Sequence, residues 1–408
     1  MAPRFSDSPN ARSKSITTAD LDTYGILNRH STNHPTFQVG VSEDKGTRRT
    51  MEDAHSFVVD FDSIRGQGFF AVFDGHAGKH AAEWCGNHFH EYLLEAIHAA
   101  SPSAQIPDIL NKTFQAVDDS LSRMCEESDG KIHSGCTAVT AFLRIEDEDG
   151  KQSFILPVES PLSESPVNPE SDDSSGLNPG SGAESASVQD SGDEGKLAAK
   201  IKKSKSPLSS GRSRIRKAFK KIGSSSRAAT PRSASPVDAP EPTGEGFTIT
   251  IPPDAQRRVL YSANAGDARG VLYRAGKAVR LTYDHKGTDK QEAKRITDAG
   301  GFVLSGRVNG VLAVTRSLGD TSMKEFVVGA PYTTETELCD EDEFLILACD
   351  GLWDVINDQS ACELIQNVED AQAASQILLQ HALTQHTTDN VTVVVVRFKN
   401  PVQQPKTA

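Results

Sequence analysis

The sequence predicts an α+β domain of antiparallel sheets covered by helices, interrupted by one long insert that has no core of its own. Three observations carry that expectation. Short β-branched and aromatic runs follow one another directly over much of the chain, and helical periodicities arrive in adjacent pairs instead of alternating with single strands. One central stretch also changes abruptly in composition.

The strand-like runs are Thr36–Ser42, Ala54–Phe61, Gly68–Phe73, Thr137–Arg144, Arg258–Asn264, Gly270–Arg274, Phe344–Ala348 and Val391–Phe398, each bounded by turn-forming residues. Ala81, Trp84, Cys85, Phe89, Leu93 and Ile97 recur near helical spacing and predict a helix over Ala77–Ala100. The same logic predicts helices over Ile106–Glu127, Thr288–Ala299, Gln359–Asn367 and Asp370–Leu383.

Pro157–Gly195 is rich in Ser, Pro and Gly, with nine Asp/Glu and no Lys/Arg, whereas Lys196–Arg232 holds thirteen Lys/Arg and no Asp/Glu. Neither half has the apolar surface to offset the entropy of ordering. The insert is therefore expected to be disordered over 151–257, within a domain spanning 34–400 and flanked by tails at 1–33 and 401–408. A net charge of −13 over 408 residues argues against a general nucleic-acid binder. Six scattered cysteines without a C-x-x-C pair read as reduced thiols of the cytoplasm or nucleus and argue against cysteine-bound zinc. No apolar run approaches the ~20 residues of a membrane span, and the polar N-terminal stretch lacks the apolar centre of a secretory signal.

Two sites share one local form, a fully apolar strand ending in Asp-Gly: Gly68-Phe-Phe-Ala-Val-Phe-Asp74-Gly75-His76 and Phe344-Leu-Ile-Leu-Ala-Cys-Asp350-Gly351. A carboxylate at the mouth of the core loses water and needs a partner, which a divalent cation supplies. Glycine beside it is expected to let the backbone carbonyl turn toward an ion. Asp-Gly alone more often marks a turn, as at Asp129-Gly130 and Asp149-Gly150. Two occurrences after equally apolar strands, beside Arg48-Arg-Thr-Met-Glu52-Asp53-Ala-His55 and Thr387-Thr-Asp389-Asn390, favour a site for hard cations that prefer oxygen ligands.

Seven motifs then stand in register: Arg-x-x-Met-Glu-Asp-Ala-His, Val-Phe-Asp-Gly-His-Ala-Gly, Gly-Cys-Thr-Ala-Val, Asn-Ala-Gly-Asp-Ala-Arg, Ala-Val-Thr-Arg-Ser-Leu-Gly-Asp, Cys-Asp-Gly-Leu-Trp-Asp and Thr-Asp-Asn-Val-Thr. From about Val39 to Phe398 this set resembles the type 2C, metal-dependent serine/threonine protein phosphatases, and in particular fungal members that restrain stress-activated MAP kinase signalling. The resemblance implies a layered α-β-β-α sandwich and a monomeric enzyme acting on phosphoproteins, MAP kinase pathway components among them. It implies two Mg²⁺ or Mn²⁺ ions whose bridging hydroxide attacks phosphorus. Asp74 would bridge the ions and the Gly75 carbonyl would bind one. Asp350 and Asp389 would complete the first ion, and Glu52 would sit on the second. Asp53 would lie in the outer shell, and Asp267 would offer a place for a third ion. Arg48 matches the phosphate-gripping arginine, although Arg49 doubles it, and His76 the general acid. The sequence departs from the family pattern at Cys136, where many members have serine.

Two other readings stay open on the sequence: a catalytically silent phosphoprotein-binding module, and a membrane or nuclear tether. The second would use Ile215, Phe219 and Ile222 on one face of a basic segment. Ser160, Ser165, Ser206, Thr230 and Ser235 each precede proline and match proline-directed kinase sites.

Overall fold

The computed structural model of the chain describes residues 37–101, 103–155, 249–253 and 256–398. The expected tails at 1–33 and 401–408 lie outside the described residues. So do the acidic and basic halves of the insert, its Ser-Pro and Thr-Pro sites, and Ile215, Phe219 and Ile222.

The first elements are β1 (Phe37–Asp44), β2 (Ala54–Val59), β3 (Gly68–His76), α1 (His80–Ala99), α2 (Ile106–Glu127) and β4 (Gly135–Glu146). Next come β5 (Arg257–Ala265), β6 (Arg269–Arg274), β7 (Lys277–Arg280), α3 (Lys290–Asp298) and the two-residue strands β8 (Val303–Leu304), β9 (Arg307–Val308) and β10 (Leu318–Gly319). The last are β11 (Tyr332–Glu337), β12 (Asp342–Ala348), α4 (Asp350–Trp353), α5 (Asp358–Ile365), α6 (Ala371–Thr384) and β13 (Val391–Phe398).

One sheet has the order β1-β13-β12-β6-β7 and the other β11-β5-β4-β3-β2, with β10 added beside β4. The pairings within both are antiparallel. The strands read as unbroken apolar runs because both faces of each sheet are covered. Along β3, Phe70 and Val72 face the other sheet, packing with Val139, Leu345 and Val394. Phe69, Ala71 and Phe73 face outward, against Phe89 and Leu93 of α1 and Phe114 of α2. The opposite outer face, with Ile346, Val393 and Val395, is covered by Ile365 and Leu378 of α5 and α6. The layers are therefore α-β-β-α. Among the described residues no helix is long and apolar enough to cross a membrane.

Several boundaries differ from expectation, each for a local reason. The first helix begins at His80 rather than Ala77, because Ala77 (φ 55°) and Gly78 (φ 117°) turn the chain through left-handed conformations after β3. β2 stops at Val59, where Asp60, Asp62 and Ser63 adopt positive φ. α3 starts at Lys290 because the Asp289 carboxylate accepts from the backbone of Gln291 and Glu292 at 2.8 and 2.9 Å, a side-chain N-cap. Asp350, expected at the end of an apolar strand, opens the short helix α4 instead. The insert is also narrower than 151–257: Thr250 exchanges backbone hydrogen bonds with Ser63 and Arg65, both at 2.9 Å.

Phe89 sits at the centre of the outer core. Its ring lies 5.8 Å from Phe69, 5.6 Å from Phe73 and 5.0 Å from Phe114. Phe89→Ala is expected to lower stability by about 3–5 kcal/mol, read as the shift in urea midpoint at unchanged m-value.

Candidate active site

The acids gather where the space between the two sheets opens to solvent. β3 delivers Asp74, Gly75 and His76, and the loop Lys45–Asp53 between β1 and β2 brings Arg48, Glu52 and Asp53. The β5–β6 turn supplies Asp267, α4 begins at Asp350, and Asp389 precedes β13. The carboxyl of Asp74 lies within electrostatic reach of Asp53, Asp350, Asp267 and Asp389.

This crowding has an energetic signature. Burial, then the charges of Asp53 and Asp350, hold the Asp74 carboxyl well above the usual carboxylate range, although part of the residue still meets solvent. Burial foremost, then Asp267 and Asp389, pushes Asp350 from 3.8 up to about 8. Asp53 rises to about 6, chiefly through burial; its Oδ2 accepts from Thr392 Oγ1 at 2.8 Å, while its buried Oδ1 meets no donor in hydrogen-bond geometry. Among the described residues, no three His, Cys, Asp or Glu side chains crowd one point closely enough to form a ready-made metal cage. Loose carboxylates around a shared space suit hard cations that keep several of their waters.

Two protein cations stand at the rim. The Arg48 guanidinium reaches Asp389 Oδ2 at 2.6 Å and the Thr388 carbonyl at 3.2 Å; both arginines of the pair are exposed, and Arg48 is bonded to an acid of the cluster. Lys286 Nζ lies 3.2 Å from Asp267 Oδ2 and 3.7 Å from Asp354 Oδ1. Glu52 is held apart from the cluster: its carboxylate accepts from Thr50 Oγ1 at 3.1 Å and the Gly78 N–H at 3.2 Å.

The structure gives the glycines a different reason from a turned carbonyl. A Cβ on Gly75 would fall 2.2 Å from the Glu52 carbonyl oxygen, and one on Gly351 would fall 1.9 Å from that of Asn390. Neither has positive φ. Both glycines are required for close backbone approach, which brings the acid-bearing segments together.

Two residues inside the recognised motifs carried no role in the sequence reading. Asn390 is buried and clips the 45–52 loop: its Nδ2 donates to the Lys45 and Thr50 carbonyls at 2.9 and 3.1 Å, and its Oδ1 accepts from the Glu52 N–H at 2.8 Å. Asp320 accepts from His76 Nε2 at 2.6 Å. An asparagine beside the strand-end Asp389 was a visible signal for the first; the second ends the motif Ala-Val-Thr-Arg-Ser-Leu-Gly-Asp, whose spacing does not reveal the partner it meets.

Comparison with known proteins places the chain in a family. Residues 37–147 and 181–391 match the family model for protein phosphatase 2C. The chain is 38% identical over 376 residues to protein phosphatase 2C homolog 1 of Saccharomyces cerevisiae, covering 91% of this chain and 97% of the relative. It is 32% identical over 384 residues to the Schizosaccharomyces pombe protein of that name, covering 93% and 79%. In fold it is similar to a Caenorhabditis elegans sex-determining protein (TM-score 0.58, 22% identity, 90% of this chain and 66% of that one). It is also similar to a Toxoplasma gondii phosphatase (TM-score 0.55, 19% identity, 91% and 95%).

The raised Asp350 carboxyl fixes a sign. The folded state holds this proton more tightly than the unfolded chain, so its contribution to stability is present below about pH 4 and is lost as pH rises toward about 8. Asp350→Asn removes that repulsion. In protein stripped of divalent ions, the variant is expected to melt higher than wild type by roughly 3–8 °C at pH 8, with the gap shrinking toward pH 5. Scanning calorimetry in EDTA across this range measures it.

Proposed function

Because the chain belongs to the protein phosphatase 2C family and is a serine/threonine protein phosphatase, we propose that its chemistry is the hydrolysis of protein phosphoserine and phosphothreonine at the acid cluster around Asp74. The supporting observation is the meeting of Asp53, Asp74, Asp267, Asp350 and Asp389, drawn from five chain segments, with Arg48 and Lys286 paired to them among the described residues.

The donors fit Mg²⁺ or Mn²⁺: they are oxygens alone, like-charged and desolvated. Asp74, the Gly75 carbonyl, Asp350 and Asp389 would hold a pair of ions, with Glu52 contributing from the adjoining loop. Asp267 would receive a third only by displacing the Lys286 ammonium. When bound, such ions supply an acidified water and positive charge for the phosphoryl oxygens.

The chain's own residues do the rest. Arg48 presents a planar fork, and a phosphate dianion competes with Asp389 for it through two parallel hydrogen bonds. Asp53 and Asn390 hold the Arg48 loop in register through Thr392 and the Glu52 backbone. His76, two residues along β3 from Asp74 and therefore on the same face, gives a proton to the departing serine or threonine oxygen.

Asp74→Asn is expected to cut hydrolysis of a phosphothreonine peptide by on the order of 10²–10³-fold and to abolish the rise in Tm that Mn²⁺ gives the wild type. Undiminished turnover of the variant in EDTA would remove the reading.

The physiological setting is a further part of the proposal. The motif set's likeness to fungal members that restrain MAP kinases supports a monomer acting on stress-pathway phosphoproteins in cytoplasm and nucleus. Cells carrying Asp74→Asn should retain stress-kinase phosphothreonine after osmotic shock; phosphoproteomes identical to wild type there would sever that link.

A further inference from the structure

We propose that Asp320 is a positioning residue for catalysis, holding the His76 imidazole by its Nε2–H and leaving Nδ1 as the nitrogen that serves the substrate. The proposal rests on the general-acid reading of His76. The bond is 2.6 Å long and joins residues 244 positions apart. With a carboxylate accepting, Nε2 carries the proton, and Nδ1 has no partner among the described residues.

The route by which Asp320 reaches His76 is built into the sheet. Gly135 on β4 pairs with His76 of β3 on one side and with Gly319 of β10 on the other. Asp320 follows β10, and its carboxylate lies over Gly135, where a Cβ would fall 2.2 Å from Oδ2. The missing side chain at Gly135 is the gap through which Asp320 crosses to the histidine.

The turn that aims the carboxylate is strained and anchored. Gly319 has φ 81° and Asp320 φ 48°, and for a residue other than glycine that costs on the order of 1–3 kcal/mol. Ser317 Oγ donates to the same Oδ2 at 2.5 Å. From α2, Asp118 Oδ1 accepts from the Gly319 N–H at 2.9 Å and from Lys324 Nζ at 2.6 Å, pinning both ends of the turn. Asp320 precedes the short 3-10 turn Thr321–Met323, yet its side chain makes no capping bond there; the same Oδ2 that Ser317 holds is the one that meets His76. The strained turn, the anchored ends and the glycine gap all serve the contact with His76.

In the step this supports, the oxygen of water bonds to phosphorus as the P–O bond to the substrate breaks, and the Nδ1–H bond of the imidazolium breaks with it. The bonding pair leaves with the serine or threonine oxygen, which takes the proton. The ring becomes neutral and keeps its remaining proton on Nε2, still donated to Asp320.

The test uses the full chain with Mn²⁺ and compares a phosphoserine peptide, whose leaving group needs a proton, with p-nitrophenyl phosphate, whose leaving group does not. Asp320→Ala is expected to lower kcat on the peptide by roughly 10–100-fold, with a several-fold smaller loss on p-nitrophenyl phosphate and little change in KM. Asp320→Asn, whose amide oxygen can still accept, should lie between. In an Asp320→Ala/His76→Ala double variant, the first substitution should add almost nothing to the second. Imidazole ¹⁵N shifts should show Nε2 protonated in wild type and a tautomer mixture in Asp320→Ala. Equal losses on both substrates, or an undiminished effect of Asp320→Ala without His76, would overturn the assignment. If His76→Ala itself shows no substrate bias, the general-acid reading fails and Asp320 falls with it; if His76→Ala is biased and Asp320→Ala is not, only Asp320 falls. Should Asp320→Ala not fold, the isosteric Asp320→Asn decides, and full peptide activity in that variant overturns the proposal.

Discussion

The constraint on which the rest of the structure depends is the enforced proximity of carboxylates that repel one another. Bringing Asp53, Asp74, Asp267, Asp350 and Asp389 into one region opposes folding, because each desolvated charge costs several kcal/mol when left uncompensated. A domain whose whole stability is of order 5–15 kcal/mol can tolerate that only where its apolar layers over-determine the backbone. Here they do: the inner strands of both sheets are buried on both faces, and the acids are confined to the ends of those strands and to the turns beside them. The acids are thus held by a scaffold that does not need them.

Proximity is fixed by close backbone approach as much as by side chains. Gly75 lets β3 run against the Glu52 carbonyl, and Gly351 lets α4 run against that of Asn390. Asn390 then spends its whole amide on the 45–52 loop. The loop that carries Arg48 is consequently tied to the same strand end that carries Asp389, the carboxylate its fork meets.

Much of this was legible in the sequence, and the failures have a common cause. The eight strand-like runs each lie on a strand of one of the two large sheets, and the paired helices are there, because long apolar runs and 3.6-residue periodicity report burial directly. The short strands β7 to β10 and the polar edge strand β11 were not foreseen: two to four residues carry no period, and Tyr-Thr-Thr-Glu-Thr-Glu carries no apolar face. Site residues were found where chemistry and local form coincide, as in Asp-Gly after an apolar strand. Asp320 was missed because its role depends on a left-handed turn and on a glycine 185 positions earlier in the chain, neither of which a local pattern records. The reason offered for Gly75 also changed, since the atom that forbids a side chain there belongs to Glu52, distant in sequence from β3.

The spacing Asp74-Gly75-His76 then acquires a mechanical sense. Alternation along β3 sends Asp74 and His76 to the face between the sheets, the side of Phe70 and Val72, and turns Gly75 toward Ala82 and the Glu52 backbone. Two residues is the shortest separation that places a carboxylate and an imidazole side by side on one strand face, and the residue between them must be small because a second backbone passes there. On that shared face the strand divides its neighbours: Asp74 looks toward the acids of the other sheet, whereas His76 is tied across Gly135 to Asp320 and, through the 319–324 turn, to α2. One strand end thus joins a region of excess negative charge, whose electrostatics favour cations, to a hydrogen-bonded histidine fixed by a different part of the core.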